Sequence, residues 1–136
     1  MKIIVDTNVL VRSVMRDDEQ QARAAEEILK QAELIAVALA SLCEFVWVLA
    51  KVYRLPRTDI ATALRALLNI GNLVVNRPAV EAGLSILEAG GDFADGVIAY
   101  EGNWLGGETF VSFDKQAVAL LSEKGLSAWL LADRSL

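Results

Sequence analysis

Short apolar runs alternate with segments of helical periodicity along this chain, and this alternation constrains the fold most. Residues 2–5 form a β-branched run that ends at Asp6, a pattern typical of a buried strand. We predict further strands at 34–37, 72–75, 109–112 and 126–130, and helices at 17–31, 41–53, 58–68, 78–88, 93–104 and 115–123. Apolar strands separated by helices indicate a parallel sheet covered on both faces, so the fold class is α/β.

The size and the apolar content of the chain limit its organisation. Its 136 residues suit one domain spanning 1–136. The longest apolar stretch, residues 34–50, contains Glu44 and is shorter than the roughly 20 residues of a membrane helix. The first apolar run is too short for a signal peptide. We therefore expect a cytoplasmic protein that does not enter the membrane, with part of its 54% hydrophobic residues covered by a partner chain.

The residue types exclude several kinds of chemistry. The chain has no histidine, which rules out imidazole catalysis, and its single cysteine, Cys43, permits neither an internal disulfide nor a zinc–thiolate cluster. The net charge is −5, and such an acidic chain is unlike a protein that coats nucleic acid. An enzyme that binds cations through its carboxylates remains possible.

Four acidic residues stand at comparable places in the predicted elements. Asp6 and Asp114 follow strands, whereas Glu44 and Asp95 lie in the first turns of helices. In a parallel α/β fold these places share one edge of the sheet, where ligands bind. We therefore expect the four carboxylates to converge on one region.

Each acid, taken alone, also has a structural interpretation as a helix cap. The segments 41–44 and 92–95 both match a capping box, and Asp6 and Asp114 precede helices. Four converging carboxylates, however, repel one another by about 4 kcal/mol per pair at 4 Å and an effective dielectric constant of 20. Oxygen donors without nitrogen or sulfur favour Mg²⁺ or Mn²⁺, and such a metal suits hydrolysis of a phosphodiester.

Four segments of the chain, in order, resemble the motifs of PIN-domain ribonucleases. Residues 4–10 (IVDTNVL) resemble the first motif, 42–49 (LCEFVWVL) the second, 92–99 (DFADGVIA) the third and 110–114 (FVSFD) the fourth. The resemblance extends over nearly the whole chain. The size and the second motif are similar to those of the VapC branch, the toxins of bacterial toxin–antitoxin pairs.

The resemblance implies a fold, a site and partners. The implied fold is a three-layer α/β/α sandwich around a five-stranded parallel sheet. The implied activity is endoribonuclease cleavage of RNA, and the implied partners are a second copy of the chain, as a homodimer, and a cognate antitoxin protein. The implied catalytic and metal-binding residues, for Mg²⁺ or Mn²⁺, are Asp6, Glu44, Asp95 and Asp114, and the implied substrate- or water-orienting residues are Asn8, Ser112 and Asp92.

Other interpretations of the same residues stay open. Gly96 stands where the VapC branch more often has alanine. Arg12 and Arg16 would contact RNA, an antitoxin or only solvent, and we predict Trp47 to be a packing residue. A catalytically silent PIN scaffold that binds RNA or protein is one alternative function. A haloacid-dehalogenase-like phosphatase is another, although it needs an aspartate at the position of Asn8.

Overall fold

The computed structural model describes residues 1–132, which form two compact units. The first unit comprises Met1–Asn76, and the second begins at Arg77. Both combine helices with parallel strands, which confirms the α/β class.

The first unit contains a three-stranded parallel sheet. Its strands are β1 (Lys2–Ile4), β2 (Leu34–Ala36) and β3 (Leu73–Val74), in the order β1-β2-β3. Ile35 pairs with Ile3 on one side and with Leu73 on the other. The helices of this unit are α1 (Thr7–Val14), α2 (Glu19–Gln31), α3 (Leu39–Lys51) and α4 (Arg57–Leu68).

The apolar faces of these helices form the core of the first unit. Phe45 and Leu49 recur four residues apart on α3 and are fully buried, as are Leu10 on α1 and Leu64 on α4. Residues at this spacing share one face of a helix, so the sequence pattern and the packing agree. Burial of each such side chain contributes about 1.5–3 kcal/mol to the free energy of unfolding.

The second unit contains α5 (Arg77–Glu88), α6 (Phe93–Trp104) and α7 (Lys115–Glu123), together with two parallel strands, β4 (Phe110–Ser112) and β5 (Ala128–Leu130). Helices α5 and α6 approach closely because glycines face each other. A Cβ on Gly96 would collide with the backbone oxygen of Ala82 and lie 2.8 Å from the Cα of Gly83. Ile86, Leu120 and Leu121 form a buried cluster on which β4 and β5 pack through Phe110 and Ala128.

Most of the predicted elements are confirmed, with small differences at their ends. The predicted bounds of α6 and α7 agree with the structure, and the predicted strands are shortened to two or three residues. One prediction is wrong: β1 is not a buried strand, because it lies at an edge of the three-stranded sheet and Ile4 is 86% exposed. None of the helices in residues 1–132 has the length and apolar character needed to cross a membrane.

Candidate functional site

Asp6 lies between β1 and α1 and is the N-cap of α1. Its Oδ1 accepts a hydrogen bond of 3.3 Å from the backbone N–H of Val9, which confirms the capping interpretation. The side chain is exposed, and a cap of this kind occupies one carboxylate oxygen. Capping and cation binding are therefore compatible at Asp6.

Glu44 lies one turn further into its helix than the sequence predicts. Helix α3 begins at Leu39 and has Ala38 as its N-cap without a side-chain hydrogen bond. The predicted capping box is therefore wrong, since Ser41 already lies in the first turn and cannot be the cap. Glu44 is exposed, and its Oε2 accepts a hydrogen bond of 2.8 Å from Oγ1 of Thr7.

The Thr7–Glu44 hydrogen bond ties together the first two acids of the candidate site. Thr7 follows Asp6 directly and is only 8% exposed. The bond therefore places the carboxylate of Glu44 beside the junction of β1 and α1. Thr7 was missed by the sequence analysis, although its position next to Asp6 in an otherwise apolar segment was a signal.

Asn8 is exposed on the first turn of α1. Together with Val9 and Arg12 it lines a groove of about 460 Å³ whose other wall is α2, at Ala24 and Ile28. Its predicted role in orienting substrate or water stays a prediction.

Asp92 and Asp114 are the N-caps of α6 and α7 in the second unit. Oδ1 of Asp92 accepts from the backbone N–H of Ala94, and Oδ1 of Asp114 accepts from those of Gln116 and Ala117. The positive ends of the helix dipoles also favour carboxylates at these places. Both acids thus have a structural role, as predicted, and each retains a second oxygen that a cation can approach.

Asp95 is the acid whose ionisation the fold disfavours. Partial burial raises its pKa above the ordinary value, and the negative charges of Asp92 and Asp114 raise it further. These three carboxylates of the second unit therefore interact electrostatically, since each charge makes ionisation of Asp95 more costly. Ser112 supports the same region: its Oγ accepts a 3.0 Å hydrogen bond from the backbone N–H of Asp114.

The donor chemistry of these acids suits a hard divalent cation. Every candidate ligand is a carboxylate oxygen, the donor that Mg²⁺ and Mn²⁺ prefer. Within residues 1–132, however, no three acidic or cysteine side chains lie close enough together to hold a metal ion. The argument that these residues suit a divalent cation therefore rests on their carboxylate donors and on the repulsion between Asp95 and the carboxylates of Asp92 and Asp114.

Comparison with known proteins identifies the family. A model of the PIN domain matches residues 3–120, which include every acid described above. The chain belongs to the PIN domain family. No curated protein matches the sequence at a significant level. PIN domains are generally nucleases, so the family assigns a nuclease-type function to the chain.

Two arginines of this PIN domain are engaged by acids of their own unit. Arg12 donates to Oδ1 of Asp17 at 2.9 Å, and Tyr53 donates to the other oxygen of the same carboxylate. Arg16 forms ion pairs with Glu19 and Glu26. These pairs hold the connection between α1 and α2 and support the interpretation of Arg12 and Arg16 as structural surface residues.

Proposed function

We propose that this PIN domain is a metal-dependent endoribonuclease that acts as the toxin of a toxin–antitoxin pair. The observation that carries the proposal is the placement of Asp6, Asp92 and Asp114 at the starts of three helices, with Asp95 in the first turn of α6, all inside the matched family region. Partial burial, and then the charges of Asp92 and Asp114, raise the pKa of Asp95, and a bound divalent cation would offset the repulsion among these carboxylates. The resemblance of the four motifs to those of PIN-domain ribonucleases supports RNA as the substrate. The size of the chain and its second motif support the VapC branch.

In this proposal the two units form one domain spanning 1–136, and their strands form one five-stranded parallel sheet inside a three-layer sandwich. The match of one family model to residues 3–120, which include parts of both units, supports a single domain. Asp6, Glu44, Asp95 and Asp114 hold Mg²⁺ or Mn²⁺ at the edge of that sheet. A divalent metal held by these residues would lower the pKa of a water molecule and offset the negative charge of the RNA phosphodiester.

Four further residues orient the carboxylates, the substrate or the attacking water in this proposal. Thr7 fixes one oxygen of Glu44, and Ser112 holds the backbone N–H of Asp114. Asn8 and Asp92 orient the substrate or the attacking water. Because there is no histidine, an ionised carboxylate accepts the proton of that water.

The proposed partners follow from the toxin role. The protein acts in the cytoplasm, pairs as a homodimer and is silenced by a cognate antitoxin. Several large apolar side chains are exposed and are available for such contacts, including Ile98, Leu105 and Trp129.

Cleavage of a labelled RNA with Mg²⁺ or Mn²⁺ tests the activity. We expect Asp6→Asn and Asp95→Asn each to lower the rate more than about 100-fold, because each removes a charge that holds the metal. Asp18→Asn is the matched control, since Asp18 is likewise an N-cap, on α2, whose carboxylate accepts from the backbone N–H of Gln21. If both variants cleave as fast as the parent, the proposed active site is wrong.

The toxin role needs a separate experiment. Induced expression of the parent should arrest bacterial growth and that of Asp6→Asn should not, and co-expression of the small gene adjacent to its own should restore growth. Binding of RNA and Mn²⁺ without any cleavage would instead support the catalytically silent scaffold.

A further inference from the structure

The exposed face of α3 carries an aromatic ring next to a candidate metal ligand. Trp47 is 57% exposed, and it follows Glu44, also exposed, by three residues. Side chains at this spacing are neighbours on a helix surface, with about 5–6 Å between their Cβ atoms. Phe45, on the opposite face, is fully buried. Trp47, which we predicted to be a packing residue, is therefore more than half uncovered within residues 1–132.

Two cations continue this face beyond Trp47. Lys51 is exposed and lies four residues after Trp47, about 6 Å further along the helix axis. Arg54 follows the end of α3 and is also exposed. Within residues 1–132 the ion pairs involve the N-terminus, Arg12 and Arg16, and none is found at Lys51 or Arg54, which leaves these two side chains available to an anionic partner.

The backbone of Arg54 gives a second reason to assign a role to its side chain. Its φ of +56° lies in the left-handed region, which glycine adopts without strain and other residues rarely do. The chain places a long cationic side chain at this strained turn. Residues in such conformations cluster at active sites and at segments that contact ligands.

The order of chemical groups on this face matches one class of partner. A carboxylate, an indole ring and two cations follow one another from Glu44 to Arg54. An apolar helix would leave the charges without partners, and an acidic peptide would leave the exposed indole ring without one. A strand of RNA uses all of these groups, because its bases stack on aromatic rings and its phosphates pair with Lys and Arg.

We propose that Trp47 is a base-stacking residue of the RNA site, beside the carboxylate of Glu44, and that Lys51 and Arg54 bind phosphates of the same strand. The inference rests on the proposed nuclease function and adds residues that bind substrate without taking part in the reaction. It also predicts a preference for unpaired RNA, since a base inside a duplex cannot stack on a side chain.

Binding of a short fluorescein-labelled oligoadenylate, measured by fluorescence anisotropy, tests the proposal. The full chain carries Asp6→Asn in all variants so that the RNA stays intact. We expect Trp47→Leu to weaken binding about 5- to 150-fold, the range observed for loss of one base–aromatic stack. Trp47→Phe should retain most of the affinity because it keeps a ring. Trp104→Leu is the matched control, since Trp104 is 76% exposed on α6.

Substitutions of Lys51 and Arg54 provide an independent test. Lys51→Gln and Arg54→Gly should each weaken binding at low salt and reduce the slope of log affinity against log salt concentration by about one. Arg54→Gly removes the charge while relaxing the left-handed turn, so a loss of affinity cannot be attributed to misfolding. An unchanged salt slope in both variants would overturn the phosphate assignment.

Three further outcomes would overturn the proposal. Equal affinities of Trp47→Leu and Trp104→Leu would show that no base stacks on Trp47. If Trp47→Leu changed the oligomeric state in sedimentation and left the RNA affinity unchanged, the face would be an interface between copies. If the Asp6→Asn chain bound no RNA, this inference would fail, whereas RNA cleavage by the parent chain would still support the proposed function; the first two outcomes likewise leave the proposed function intact.

Discussion

Thr7 donates a 2.8 Å hydrogen bond to Glu44 and thereby joins the first turn of α1 to the second turn of α3. Thr7 is the one buried polar or charged side chain in residues 1–132. A buried hydroxyl needs a partner, and this one finds a carboxylate that belongs to the candidate metal site. The bond occupies Oε2 and orients the carboxylate so that Oε1 can meet a cation.

Thr7→Val should lower the affinity for Mn²⁺ about 10-fold or more, because loss of a group that orients a metal ligand typically costs 10- to 100-fold. Valine has nearly the same shape as threonine and lacks only the hydroxyl. Thr7→Ser keeps the hydroxyl and should restore most of the affinity. Isothermal titration calorimetry with Mn²⁺ measures the effect.

The control for Thr7 is Thr62→Val. Thr62 donates to a backbone oxygen of its own helix, α4, and is exposed. Its replacement should leave Mn²⁺ binding unchanged. If Glu44→Gln abolishes Mn²⁺ binding while Thr7→Val has no effect, Glu44 is a ligand that needs no positioning by Thr7.

Asp95 predicts an unusual dependence of stability on pH in the metal-free protein. Its pKa is raised in the folded state, mainly by burial and then by Asp92 and Asp114. The folded state therefore holds this proton more tightly than the unfolded state. The stabilisation is fully present below the unfolded pKa and is lost as the pH rises through the folded pKa.

Asp95→Asn should accordingly raise the melting temperature near neutral pH and give no such gain in acid. Thermal melts with EDTA, from acidic to neutral pH, measure this difference. The exposed Glu108→Gln, in the same unit, is the control for loss of one negative charge. Added Mn²⁺ should raise the melting temperature of the parent more than that of Asp95→Asn, so that the parent becomes the more stable protein. Equal increases in melting temperature would contradict the assignment of Asp95 as a ligand.

Two substitutions of Asp114 separate its role as an N-cap from its proposed role in RNA cleavage. Asparagine is as good an N-cap as aspartate, so Asp114→Asn should fold with nearly parental stability and lose RNA cleavage. Asp114→Ala should lose cleavage and also about 1 kcal/mol of unfolding free energy, because Gln116 and Ala117 lose their acceptor. Cleavage assays and urea denaturation measure the two effects. Full cleavage by Asp114→Asn would show that Asp114 is a helix cap with no part in cleavage.

Gly96→Ala should destabilise the protein by about 1–3 kcal/mol, although alanine favours helices. The new Cβ would collide with the backbone of α5 at Ala82 and Gly83, which cannot move without separating the two helices. Gly102→Ala, on the same helix, meets open space and should stabilise the protein by about 0.4–1 kcal/mol. Urea denaturation of both variants decides; a stabilising Gly96→Ala would contradict the close approach of α5 and α6.

The sequence was most informative where local patterns fix the backbone. Asp92 and Asp114 were predicted as caps because aspartate before an apolar helical segment satisfies free N–H groups, and both predictions are confirmed. The start of α3 was predicted wrongly because Ser41 and Glu44 also satisfy a capping pattern. The preceding apolar residues, Leu39 and Ala40, extend the helix instead.

The candidate site was predictable in its residue types and only partly in its contacts. Strand ends and helix starts placed Asp6 and Asp95 correctly on their elements. The partner of Glu44 was not predictable, since Thr7 lies 37 residues away and no local pattern links the two. The exposure of Trp47 was likewise not predictable, because the sequence of a mostly apolar helix does not indicate which of its aromatic side chains stays exposed.

By itself the sequence determined the α/β class, most of the elements, although not α1, and the capping roles of Asp92 and Asp114, because these depend on spacing between near neighbours. Only the tertiary structure decided that Thr7 donates to Glu44, that Gly96 lets α5 and α6 touch, and that Asp114 acts on the charge of Asp95. Each of these depends on distances between segments far apart in the chain. Such distances are set by packing of the core, which no short stretch of sequence encodes.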